Sequence, residues 1–188
     1  MRKYLRSFIC LILALTFALS LVSCDNKVSN EEALEMVKKF LDESYELNEI
    51  YYGKGLDYQK NEDGEYNNIY SPVLRNQPYV TESILRAKTQ DVFSASLANS
   101  IISYHFNLTQ GVAGGSNYPR YFTGSDGYLT VYRDYKVIDI TEYDYSTIEI
   151  KKIKRKEIKA TVVSTENEIV DVVLVLEKDG WRLDSITA

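Results

Sequence analysis

From Tyr118 to the C-terminus the chain reads as a succession of strands with no helical segment between them. The runs "VIDITEYDYSTIEIKKI", "EIKATVVST" and "IVDVVLVLEKDGWRLDSI" are rich in Val, Ile and Thr, the residues that suit a pleated, half-buried surface. Asp126-Gly127 and Asp179-Gly180 are hairpin signals between adjacent runs. In the last run Val170, Val172, Leu174 and Leu176 share one face, and Asp171 interrupts the other, which also carries Val173 and Val175. Parallel strands need crossover helices between them, so a strand-only half excludes a doubly wound parallel sheet.

The helical signals all lie upstream. Ser29-Asn30-Glu31-Glu32 has the spacing of a capping box, with Ser29 as N-cap and Glu32 reaching back three residues later. Leu34, Val37, Leu41, Asn48 and Tyr51 then follow a helical period, and Gly53 stands at C′. A long amphipathic helix is expected over 30–52. Residues 54–78 are polar and turn-rich, and Asp63-Gly64 marks the tip of a small hairpin. Thr81 caps a short helix over 82–91, and Ser94 caps another with Leu97, Ile101 and Tyr104 or His105 on one face. "GVAGGSN" ends it. Helices first and antiparallel strands afterwards give an α+β fold, with the helices packed on a curved antiparallel sheet.

The first 24 residues are of another kind. Arg2, Lys3 and Arg6 precede an apolar run from Ser7 to Val22, and no acidic residue comes before Asp25. A basic head, an apolar middle and a small-residue exit are the parts of a secretory signal; an uncharged stretch of 18 residues, Ser7 to Cys24, is also at the short end of what spans a bilayer. The exit, Leu21-Val22-Ser23-Cys24, resembles the lipobox of bacterial lipoproteins. The resemblance implies that the Cys24 thiol takes a diacylglycerol and that cleavage before it makes Cys24 the N-terminus. The chain then divides into a signal peptide (1–23), a lipidated tether (24–28) and one domain (29–188), bound to the extracytoplasmic side of a cell membrane. Two acyl chains hold where one is marginal.

Loss of residues 1–23 removes three of the 22 basic residues and none of the 27 acidic ones, leaving a formal charge of −8. That balance disfavours nucleic acid. Cys10, the one other cysteine, leaves with the signal, so the domain has no intramolecular disulfide and stands on its core.

A capped N-terminal helix, two short helices and antiparallel strands ending in Gly180-Trp181-Arg182-Leu183-Asp184 resemble the NTF2-like (cystatin-like) superfamily. The resemblance implies a bent sheet wrapped around the long helix as a cone with a pocket. "DVFSASLANSII", from Asp91 to Ile102, is similar to the second-helix region of IseA-type inhibitors of cell-wall endopeptidases. Those are secreted without a lipid, which the lipobox does not match.

No reaction is written in the residues. His105 is the single histidine, so no imidazole-built metal site fits within one chain, and as a base it would need a nucleophile and an orienting carboxylate. "GVAGGSN" lacks the Gly-Lys-Ser/Thr ending of a phosphate loop. Asp139, Glu142 and Asp144 lack the glycine-punctuated spacing of a calcium loop. No catalytic residue, metal ligand or cofactor is assigned. "KKIKRKEIK" packs six cations into residues 151–159, either as gatekeepers on a sheet edge, the favoured reading, or as a basic hairpin for lipid headgroups or anionic wall polymer.

The tyrosines are the remaining bias, 16 against six phenylalanines. Tyrosine offers rigid contact area with a polar tip, though sheet propensity accounts for it equally. Tyr51, Tyr52, Tyr58, Tyr70, Tyr79, Tyr121, Tyr132 and Tyr143 are the candidate binding residues, lining the mouth of the cone. The expected function is a non-catalytic binding module, partnered by a cell-wall hydrolase or another envelope protein, with a peptide or sugar fragment as the other ligand class. The alternative is a small pocket enzyme of hydrolase or isomerase type, working through His105 or a buried carboxylate.

Overall fold

The computed structural model describes residues 28–59, 69–107 and 118–185. The signal segment, Cys24, the Asp63-Gly64 turn and the "GVAGGSN" run lie outside them.

Helix α1, Asn30–Tyr51, starts where its cap dictates. Ser29 Oγ accepts from the Glu32 amide at 3.1 Å, and Glu32 Oε2 accepts from the Ser29 amide at 2.8 Å. Its buried stripe runs through Ala33, Val37, Phe40, Leu41, Ser44, Leu47, Asn48 and Tyr51. Replacing Ser29 by Ala is expected to destabilise the domain by about 1 kcal/mol, read as a lower denaturant midpoint with an unchanged slope. Gly53 follows the C-cap, but its φ is not positive. It is needed for space: a Cβ there would stand 2.9 Å from Glu49 Cα.

Helices α2 (Glu82–Val92) and α3 (Ala95–Phe106) carry the expected caps, Thr81 and Ser94. Ser94 Oγ also donates to Asp184 beyond the final strand, and Phe93 bridges Leu183, so this corner is stitched to the end of the sheet.

The strands are all antiparallel, which gives the α+β class, but they form two sheets among the described residues. The larger runs β4 (Tyr143–Lys154), β5 (Glu157–Ser164), β6 (Ile169–Glu177), β7 (Gly180–Leu183), in that order. The smaller has β3 (Leu129–Tyr132) in the centre, flanked by β1 (Tyr70–Pro72) and β2 (Tyr121–Thr123). Strand β1 lies in the stretch expected as polar, turn-rich connection; three residues give no periodicity, and Pro72 is tolerated because β1 is an edge. The strand expected from Val137 begins only at Tyr143, and residues 133–142 have no ladder partner among the described residues. They cross the end of α1 instead, where the Ile138 amide donates to Tyr52 O at 3.1 Å. That crossing is why the two sheets do not join. One core, including Leu41, Leu47, Leu85, Phe93, Ile158, Leu174 and Leu183, fills the space between helices and strands. Each such side chain contributes about 1.5–3 kcal/mol by leaving water.

Candidate functional site

Strand alternation sorts the residues of the small sheet. Ser71, Tyr121, Leu129 and Val131 point inward and are buried. Tyr70, Phe122, Thr130 and Tyr132 stand on the opposite side, with Tyr70 directly across from Tyr132 and Phe122 across from Thr130. The Tyr70 ring lies 6.1 Å from Phe122 and 5.8 Å from Tyr132, which in turn lies 5.4 Å from Tyr118. Phe122 is 57% exposed and Tyr118 47%. The result is a continuous aromatic face on a hydrogen-bonded sheet. Tyr70 is fixed there by a 2.7 Å bond from its hydroxyl to Pro119 O, and burial, with Tyr132 and Tyr118 nearby, pushes its phenol up to about 12.

A groove of about 400 Å³ opens on another surface, along the last turns of α1. Tyr45 and Tyr79 wall it, Ile50 and Leu56 give an apolar floor, and Glu46, Glu49 and Lys54 supply charge. Gln77 holds the far wall in place, accepting from the Asp57 amide at 2.8 Å and donating to Asp57 O at 2.6 Å. Burial, and then the charge and hydrogen bond of Glu46, push the Tyr79 phenol up to about 12.

Behind the groove, His105 is sealed. Its ring is packed among Tyr51, Tyr52, Tyr104 and Tyr135, with centroids 4.6–6.0 Å away. Among the described residues neither ring nitrogen has a hydrogen-bond partner. Burial first and the Arg120 charge second lower its pKa to about 3, so it is neutral at any ordinary pH. It does not line the groove. The enzyme alternative gains nothing from it.

Arg120 is a residue the sequence did not single out. It is fully buried, and its Nη2 donates to Gly53 O at 2.6 Å, just past the C-terminus of α1. That helix has no basic residue in its last turn, so Arg120 supplies from 67 positions away the cation that a helix C-terminus favours. Its guanidinium also lies 4.3 Å from the Tyr135 ring centroid. Tyr121 completes the support: its hydroxyl donates to Ile50 O at 2.7 Å and accepts from the Leu56 amide at 3.2 Å. Gly55 makes room for this set, because at its φ of +82° a Cβ would come 2.5 Å from Arg120 Nη2.

The eight tyrosines therefore fall in several places. Tyr70 and Tyr132 share the aromatic face, and Tyr79 lines the groove. Tyr51 and Tyr121 are wholly enclosed, and Tyr52 packs edge-on to His105. Tyr58 is bridged to Val73, and Tyr143 opens β4. Phe122, Tyr118, Tyr45 and the groove acids belong with the surfaces but were not singled out. Among the described residues no three His, Cys, Asp or Glu side chains are grouped so as to hold a metal ion, and no helix is long and apolar enough to cross a membrane.

No protein-family model and no curated protein matches this chain.

Proposed function

We propose that the protein is a membrane-anchored extracytoplasmic lipoprotein whose NTF2-like domain binds a partner without converting it. The partner class that fits is an envelope protein, with a cell-wall hydrolase under regulation as the specific case. The observation that carries this is the aromatic face of Tyr70, Tyr118, Phe122 and Tyr132, presented by a sheet while the only imidazole is sealed away. Rigid aromatic side chains with polar tips are the residues that dominate protein interfaces, and scattered exposure does not create a continuous face of them. The NTF2-like assignment is supported by the capped helix, the antiparallel strands and the Gly-Trp-Arg-Leu-Asp ending; the anchor is supported by the lipobox at Cys24.

The test is cross-linking of the full chain in its membranes, followed by identification of what is captured. A cell-wall hydrolase is expected, and its digestion of peptidoglycan should slow when the full chain is added. Joint replacement of Tyr70, Phe122 and Tyr132 by Ala should reduce capture at least tenfold, as the loss of two or three anchors does. Tyr79→Ala, in the groove, should leave capture intact. If no hydrolase rises above background and peptidoglycan digestion is unchanged, the regulatory reading is wrong. If only Tyr79→Ala matters, the ligand sits in the groove instead.

A further inference from the structure

The cations of "KKIKRKEIK" form the tip of the β4–β5 hairpin, and Lys151, Lys152, Lys154, Arg155, Lys156 and Lys159 are all exposed. Over residues 149–159, Lys151 pairs with Glu149 and Lys154 with Glu157, so six cations face two acids and the tip keeps a surplus of four positive charges. Edge protection accounts for lysines on β4, which is an outer strand. It does not account for Lys159, which lies on β5 between β4 and β6. Lys159 also sits directly across from Lys152, an arrangement of like charges that weakens a sheet. Glu157 stands within this field: the hydrogen bond from Lys154, and then the charges of Lys154, Lys159 and Lys152, hold its carboxyl below the usual range. The sheet thus tolerates a repulsion that its own folding does not require.

The direction of the hairpin adds a second, independent observation. Tyr145 Oη donates to Asp42 Oδ1 at 2.6 Å, and Tyr45 Oη donates to Glu142 Oε1 at 3.5 Å. As β4 advances from 142 to 145, α1 therefore recedes from 45 to 42, and the two elements run in opposite directions. From Asp42 back to Asn30 the helix extends about 18 Å. From Tyr143, paired with Ser164, to Lys154, paired with Glu157, the ladder extends about 23 Å. The basic tip and the start of α1 consequently lie at the same end of the domain. The chain enters that end through Val28 and Ser29, four residues after Cys24. The β6–β7 turn, Lys178-Asp179, comes to this end as well, since the Leu176 amide donates to Lys156 O at 3.0 Å. Of the acids at the head of α1, Glu32 is turned back onto Ser29 and Glu35 is paired with Lys38, leaving Glu31.

We infer that the β4–β5 hairpin tip is a docking surface for anionic lipid headgroups, engaged when Cys24 holds the chain at a bilayer. The inference rests on the proposed anchor for its setting. A four-residue tether reaches at most about 14 Å, so it keeps this end of the domain close to the bilayer. Charge attraction acts only within a Debye length, about 8 Å at physiological ionic strength, so a patch at the far end would feel nothing. An overall acidic domain is repelled by an anionic bilayer unless it presents a basic end, and so the hairpin sets which way the aromatic face and groove point.

The experiment is lysine acylation footprinting of the full chain in nanodiscs of phosphatidylglycerol and, separately, of phosphatidylcholine. Lys152, Lys156 and Lys159 should react several-fold more slowly on phosphatidylglycerol, and the difference should vanish at high salt. Lys54, at the C-terminal end of α1, should react equally on both. Lys152→Gln with Lys159→Gln should leave the Tm unchanged or raise it, and should remove most of the protection of Lys156. Equal rates for the hairpin lysines on the two bilayers would overturn the inference. So would protection by soluble polyphosphate with none by phosphatidylglycerol, which would assign the patch to an anionic polymer. The mass of the Cys24 peptide tests the anchor separately. If it carries no diacylglyceryl group, the anchor is wrong, and the same footprint with added phosphatidylglycerol vesicles still decides the hairpin.

Discussion

Arg120→Ala is expected to lower the unfolding free energy by about 3 kcal/mol, a fall in Tm of roughly 6–12 °C for a domain of this size. Three losses add up. The charge-assisted bond to Gly53 O is worth about 1.5–3 kcal/mol, and the cation facing the C-terminus of α1 up to about 2. The missing side-chain volume leaves a hole beneath Gly55 and beside Tyr135. One effect opposes them: Arg120 Nε and Nη1 are buried without a hydrogen-bond partner among the described residues, and removing a buried charge recovers its desolvation. Arg120→Met keeps volume and sheds the charge, so it should cost only about half as much. Urea unfolding of the three proteins measures this. An Ala variant within about 0.5 kcal/mol of the parent would mean that α1 does not depend on the cation.

Acidification from pH 7 to pH 5 is expected to remove about 2 kcal/mol of stability through His105 alone. The unfolded imidazole titrates near 6.5, whereas the folded one is held at about 3, by burial first and Arg120 second. Above pH 6.5 both states are neutral and the contribution is complete. Between the two values the unfolded chain binds a proton that the folded chain refuses, so stability drops by about 1.4 kcal/mol per pH unit until the folded value is reached. His105→Phe keeps a ring among the tyrosines and removes the titration, so its stability should be nearly flat over that window. The chain has one histidine, so a single imidazole NMR signal reports the folded value without assignment. A midpoint near 6.5 in the native protein would contradict the buried, unpartnered placement. In Arg120→Met the midpoint should rise, because the second cause of the depression is gone.

Features set by neighbours in sequence were legible. Ser29 and Glu32 are three residues apart, so their reciprocal cap needs nothing from the rest of the chain. Strand β6 alternates as Val170, Val172, Leu174 and Leu176 require, because a period of two survives any placement of the sheet. Thr81 and Ser94 cap their helices for the same local reason. The candidate site was legible only in part. Tyr70 and Tyr132 reach the aromatic face and Tyr79 the groove, but adjacent Tyr121 and Phe122 take opposite faces, one enclosed and the other 57% exposed. Composition cannot tell them apart, since the choice follows from register with β3. Glu46 and Glu49 carry no sequence signal of a site, because the groove they line needs Gln77 and Tyr79 from a distant part of the chain.

What the sequence by itself determined is the α+β class, the helix starts and the antiparallel turns, all carried by periodicity and by residues a few positions apart. Only the tertiary structure decided that the described strands form two sheets, that Tyr70–Pro72 completes the smaller one, and that Arg120 caps the end of a helix through a contact to Gly53, 67 residues upstream. Those outcomes depend on which distant groups meet, and a buried guanidinium or imidazole takes its character from that meeting and not from its neighbours in the chain.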